Sequence, residues 1–125
     1  MKINIETIPH SEQHYDTPGD YWLDKNGVWQ VRISSVNNIL METLVMLHEL
    51  FELVDTQRLG IQLTDIDNFD MVYEQNREKG DDSEPGDSKK APYYESHQKA
   101  TALERTACVF FGLDWNDYDL KINEL

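Results

Sequence analysis

The 125-residue chain has one cysteine, few basic side chains and no uninterrupted apolar run long enough to cross a membrane. The lone Cys108 cannot form an intrachain disulfide, so nothing calls for an oxidising compartment, and a soluble protein of the reducing cytoplasm is the expectation. Eleven basic residues against 24 acidic ones give a formal charge of −13. That charge repels a phosphate backbone and leaves no basic stripe to displace counterions, which argues against direct nucleic-acid binding. The longest apolar zone, from about Val36 to Gln57, is broken by Glu42, His48, Glu49 and Glu52, so no membrane span is expected. Met1-Lys2-Ile3-Asn4-Ile5-Glu6 alternates in polarity and lacks the apolar core of a signal peptide. There is no internal repeat. The length suits one core without disulfide staples, so a single domain over residues 1–125 is expected.

The patterning predicts an α+β fold: an N-terminal strand and a β-hairpin packed on three main helices, one of them central and buried. Ile3 and Ile5 share a face of a short strand that Pro9 ends. A hairpin is expected over Tyr21–Ile33, with Tyr21-Trp22-Leu23 as one arm, Asn26-Gly27 as a tight turn and Val28–Ile33 as the other arm. Ser34 or Ser35 should cap a helix running to about Arg58 and stopping near Gly60. Leu40, Leu44, Leu47, Phe51 and Val54 form its wide apolar arc, and His48, Glu52 and Asp55 a narrow polar stripe. Thr64-Asp65-Ile66-Asp67 resembles a capping box for a second helix over about Asp65–Lys79, with Ile66, Phe69, Val72 and Tyr73 facing the core. Its acidic pair is no EF-hand, because Phe69 stands where a ligand is needed. An acidic loop follows at about 80–92, and then a last helix over Tyr94–Gly112 with Ala100, Leu103, Ala107, Phe110 and Phe111 on its apolar arc. Leu113 and Trp115 should pack back onto the body, and Cys108 should be a small buried hydrophobe.

His48 and Glu52 stand four apart, so a helix puts both on one face. His97 and Glu104, seven apart, do the same on the last helix. Carboxylates and imidazoles set in apolar helices need partners, because an unpaired buried charge is costly. One divalent ion held by His48, Glu52 and His97 answers that need, with Glu104 as a fourth ligand or as a carboxylate orienting His97. Zinc is the first candidate, and manganese, iron or magnesium could take the same donors. Glu49, next to the first ligand, is placed to act as general base. In the competing structural reading, His48 and Glu52 pair with each other, or with Arg58 or Arg105, at a helix interface. His10 and His14 lie in a polar segment and are expected at the surface, and Trp22 and Trp29 are expected to pack the hairpin.

The order hairpin, central helix with Leu47-His48-Glu49-Leu50, then a helix with further ligands resembles a minimal zincin, a metallopeptidase-like fold, mainly over residues 28–53. Glu52 departs from that pattern, which has a second histidine there. The chain is more closely similar to a group of small phage and prophage proteins with no assigned activity. Ile8-Pro9-His10, Gly19-Asp20-Tyr21-Trp22, Leu47 to Glu52, Asp67-Asn68-Phe69-Asp70, Glu84-Pro85-Gly86-Asp87, Ala91-Pro92-Tyr93, His97 and Glu104-Arg105 carry that similarity. The zincin resemblance implies a metal-dependent hydrolase acting on an unknown substrate. Two other readings are an all-helical metal-dependent nucleotide hydrolase and a non-enzymatic acidic phage accessory protein that binds a protein partner.

Overall fold

Alternating apolar residues build the strands, and the fold is α+β. In the computed structural model, which describes residues 1–125, β1 (Ile3–Ile8), β2 (Gly19–Leu23) and β3 (Trp29–Ser34) precede four helices. These are α1 (Ile39–Arg58), α2 (Leu63–Gln75), α3 (Tyr94–Phe110) and α4 (Trp115–Asn123), with single 3-10 turns at His10–Glu12 and Pro85–Asp87. The sheet order is β1-β3-β2. β3 pairs antiparallel with β2, from Gly19 opposite Ile33 to Leu23 opposite Trp29, and parallel with β1, from Ile3 opposite Trp29 to Ile8 opposite Ser34. This sheet rules out an all-helical fold.

Trp29, Val31 and Ile33 alternate onto one buried face of β3, as expected, and that face carries the core. Leu44, Val45 and Leu53 of α1, Ala107 and Cys108 of α3 and Tyr118 of α4 complete it, with Leu113 and Trp115 packed against it. A smaller cluster of Ile66, Ala91 and Tyr93 joins α2 to the segment before α3.

Several expectations needed correction. The hairpin does not turn on a two-residue Asn26-Gly27 loop: only Gly27 has a positive φ, at 77°, and Asn26 does not. Asp24 organises the loop instead, its Oδ1 accepting from the backbone N–H of Asn26 at 2.8 Å and Val28 at 3.0 Å. A three-residue loop with Gly in the left-handed place serves the same purpose. Neither serine caps α1. Ser34 ends β3, and the Asn38 side chain accepts from the N–H groups of Leu40 and Met41, both at 3.1 Å. The proposed capping box does not form, because α2 starts at Leu63 with Gln62 as an N-cap that makes no side-chain bond. α2 ends at Gln75, and Val72 is exposed. The tail forms a fourth helix, α4, which Asp114 caps by accepting from Asp117 N–H at 3.0 Å.

The helix faces that turn inward differ from the expected ones. The arc predicted to bury α1 is partly outside, with Val54 43% and Leu40 36% exposed, so α1 is not buried all round. The buried side holds Leu44, Val45, Leu53 and Thr56 together with His48, Glu52 and Asp55, so the polar stripe faces the interior. α3 repeats the arrangement: Phe110 is 82% exposed, while Ser96, His97, Ala100, Ala107 and Cys108 are buried. The two long helices therefore press their polar stripes together.

Candidate metal centre

Where α1 meets α3, three donor atoms converge. His48 Nε2 lies 3.2 Å from Glu52 Oε2 and 3.2 Å from His97 Nδ1, and His97 Nδ1 lies 2.9 Å from Glu52 Oε2. The three residues are between 5% and 7% exposed. Atoms bound to one ion at about 2.0–2.1 Å stand roughly 2.8–3.4 Å apart across tetrahedral to octahedral angles, so these spacings fit a shared cation. Tyr21 on β2 donates its hydroxyl to the other Glu52 oxygen, Oε1, at 3.0 Å, leaving Oε2 to the cluster.

Each imidazole has a carboxylate at its outward nitrogen. His48 Nδ1 hydrogen bonds Glu104 Oε1 at 2.8 Å, and Tyr118 from α4 donates its hydroxyl to Glu104 Oε2. That chain fixes the ring and leaves Nε2 for the cluster, the usual support of a metal-binding histidine. Glu104, expected as a fourth ligand or as a carboxylate orienting His97, instead reaches His48, on the side of the ring away from the convergent donors. His97 Nε2 faces the acidic loop, 2.9 Å from Glu84 Oε2 and 3.3 Å from Asp87 Oδ1. The loop closes over that ring, and Gly86 is buried against it.

Of the pairings in the structural reading, that of His48 with Glu52 is present at 3.2 Å, whereas Arg58 pairs with Asp55 at 2.9 Å and Arg105 stacks over Trp115 at 4.3 Å. Asp55, on the same stripe, is also taken up by Ser96 at 2.9 Å. His10 is half-buried on Ser34 Oγ at 2.9 Å, and His14 faces Asp20 at 3.4 Å; neither joins the cluster.

Glu49 follows His48 on α1 and lies against the backbone of β2. A Cβ on Gly19 would come within 2.6 Å of its Cγ. Glu49 and the three donors line a pocket of about 300 Å³ with Tyr15, Asp20, Asp67 and Asp70. Arg77 is the only lysine or arginine on its walls, and both its Nε and one terminal nitrogen are held by Glu74 at 2.8 Å.

The crowding of acids shows in their titration. Burial raises the Asp20 carboxyl to about 6 against the pull of His14, and burial raises Asp70 to about 7 despite the Tyr93 hydrogen bond. Glu49 is pushed well above the usual range, by burial first and by the Glu52 charge second. Burial would raise Glu52 too, but hydrogen bonds from His48 and His97 overcome it and hold Glu52 at about 2. Burial would lower both imidazoles. Glu104 and Glu52 keep His48 well above its ordinary value, and Glu52 and Glu84 bring His97 to about 10. Without a metal, then, the cluster is a carboxylate held between two charged imidazoles.

Tyr21, Tyr118, Glu84 and Gly86 carry roles that composition and spacing did not reveal. Gly19 and Gly86, each a glycine beside an acid in the sequence, both make room for a site side chain. Comparison of the chain with family models, curated proteins and solved structures gives no match.

Proposed function

We propose that the chain is a zincin-like divalent-metal protein that binds one ion through His48, Glu52 and His97 and hydrolyses a substrate in the adjoining pocket. The observation that carries this reading is the convergence of three buried donors from two helices at 2.9–3.2 Å from one another. Two imidazoles and one carboxylate, with a position left open, are a donor set of catalytic zinc. Manganese and iron suit the same set, and magnesium suits it less because it prefers oxygen. The glutamate in place of the second zincin histidine is thus compatible with hydrolysis.

When bound, the ion supplies Lewis acidity and lowers the pKa of a coordinated water. The chain's own residues do the rest. Glu104 and Tyr118 hold His48 in one tautomer, and Tyr21 holds Glu52 to a single free oxygen. Glu49, on the pocket wall beside His48, takes the proton from the attacking water. Burial keeps Glu49 protonated, and a cation held by the three donors would favour its charged form.

The nucleotide-hydrolase reading is weaker, since a phosphate chain would meet carboxylates and an Arg77 already held by Glu74. The accessory-protein reading makes the stripes structural, and it leaves without a reason two imidazole nitrogens, His48 Nε2 and His97 Nδ1, facing each other at 3.2 Å. A phage or prophage origin enters the proposal only through the resemblance. The test is thermal unfolding of chelator-treated protein with added zinc or manganese, followed by peptide turnover for the native chain and Glu49→Gln. The proposal expects a rise in Tm that His97→Ala loses, and turnover that falls at least a hundredfold in Glu49→Gln with the metal retained. No rise in Tm would refute the ion, and equal turnover in both proteins would refute the hydrolytic role.

A further inference from the structure

His97 is nine-tenths buried, yet its Nε2 makes no hydrogen bond. Two carboxylate oxygens are close, Glu84 Oε2 at 2.9 Å and Asp87 Oδ1 at 3.3 Å, but neither lies in the direction a hydrogen bond from this nitrogen requires. The ion-pair contacts are off-line, and a buried ring nitrogen that makes no hydrogen bond but is flanked by two anions is placed to meet a cation between them. The two distances from Nε2 suit donors sharing one ion at about 2.0–2.2 Å. The donor atoms of Glu84, Asp87 and His97 all lie within 4.8 Å of one another.

The loop is built to keep this arrangement. The Pro85–Asp87 turn closes with Ser88 N–H on Pro85 O at 3.0 Å, and Gln98 donates to Asp87 Oδ1 at 3.1 Å. Gly86 lets the turn lie on the ring, where any Cβ would stand 2.5 Å from Cγ and Nδ1.

We propose that Glu84, Asp87 and His97 Nε2 form a second, outer site for a divalent cation of the zinc type, separate from the buried cluster on Nδ1. An imidazole donor selects zinc, copper or nickel over magnesium and calcium, which prefer oxygen. The outer carboxylates are 50% and 55% exposed, so the site exchanges ions with solvent and binds more weakly than the buried one. With both ions present, His97 bridges them through its two nitrogens as an imidazolate, and the displaced N–H proton leaves to solvent.

Equilibrium dialysis of the chelator-treated chain against free zinc tests this, with Glu84→Gln/Asp87→Asn and His48→Ala alongside. Both changed acids are exposed, so the double variant is expected to fold. The native chain should take up two zinc ions, the second at least tenfold more weakly. The double variant should keep only the tight one, and His48→Ala only the weak one. Nitrogen NMR of native protein should show His97 Nε2 losing its proton as the second ion binds. Identical zinc uptake by the native chain and the double variant, or a His97 Nε2 that stays protonated at saturating zinc, would overturn the outer site. If the double variant alone loses zinc, the outer site stands and the buried one proposed above falls. If His48→Ala alone loses zinc, the reverse holds.

Discussion

Gly86 and His97 occupy space that only a glycine allows them to share: a Cβ on residue 86 would sit 2.5 Å from the imidazole Cγ and Nδ1. The acidic loop and a proposed metal ligand are therefore one packing unit. Gly86→Ala should displace the ring or lift the loop, costing about 1–3 kcal/mol of stability as overpacking does. It should also weaken zinc binding at least tenfold. Melting curves and a zinc competition titration check it, with Lys89→Ala, at an exposed neighbouring position, as the control.

Gly19 stands in the same relation to Glu49, whose Cγ lies 2.6 Å from the position of an added Cβ. Gly19→Ala should push the Glu49 side chain out of place while leaving His48, Glu52 and His97 untouched. Hydrolytic turnover should fall with zinc affinity unchanged. A parallel loss of both would mean that Glu49 has no separate role.

Glu104 accepts from or donates to no residue of the convergent triad except His48, through Nδ1 at 2.8 Å. Removing a carboxylate that orients a metal-binding histidine typically costs about 10–100-fold in metal affinity. Glu104→Ala should show a loss of that size in zinc competition. Glu104→Gln, which keeps an acceptor oxygen for His48, should recover most of it.

Stability of the metal-free chain should depend on pH with a definite sign. Asp20 and Asp70 have folded values of about 6 and 7, above the ordinary 3.8, so their contribution is full below 3.8 and is lost as pH rises from there through 6 and 7. His97, raised from 6.5 to about 10, contributes fully below 6.5 and loses that contribution as pH rises through 10. Glu52, lowered from 4.5 to about 2, contributes above 4.5 and loses it as pH falls through 2. Unfolding in the presence of chelator should show a maximum near pH 4, where the gain from Glu52 gives way to the losses from Asp20 and Asp70, and a steady fall towards pH 10. Zinc should reduce that fall, because a dication offsets the repulsion among the pocket acids and replaces the imidazole protons. A metal-free chain that gains stability from pH 5 to 9 would contradict these assignments.

Periodicity made the strands and long helices legible, because buried strand residues alternate and Trp29, Val31 and Ile33 do so cleanly. The four-residue step from His48 to Glu52 was legible for the same kind of reason. Facing was not. A helical wheel ranks faces by apolarity, and α1 and α3 have apolar residues on several sides, so the wheel could not reveal that the polar stripes meet in the interior. Nor could spacing pair residues from distant elements: Tyr118 reaches Glu104 and Tyr21 reaches Glu52 only through tertiary packing. Local turn chemistry misled where two suitable residues lie close together in sequence, as with Ser34 and Asn38, and Asn26 and Asp24. In both places the residue whose side chain could reach the free backbone N–H groups prevailed.

The central claim is tested most directly by elemental analysis of the native chain, purified without metal-affinity resin and passed into metal-free buffer, beside His48→Ala. The proposed site predicts one tightly held divalent ion per native chain and none in the variant. A native chain without metal that also takes up none when zinc is added, or a His48→Ala chain that retains its tight ion, would contradict it.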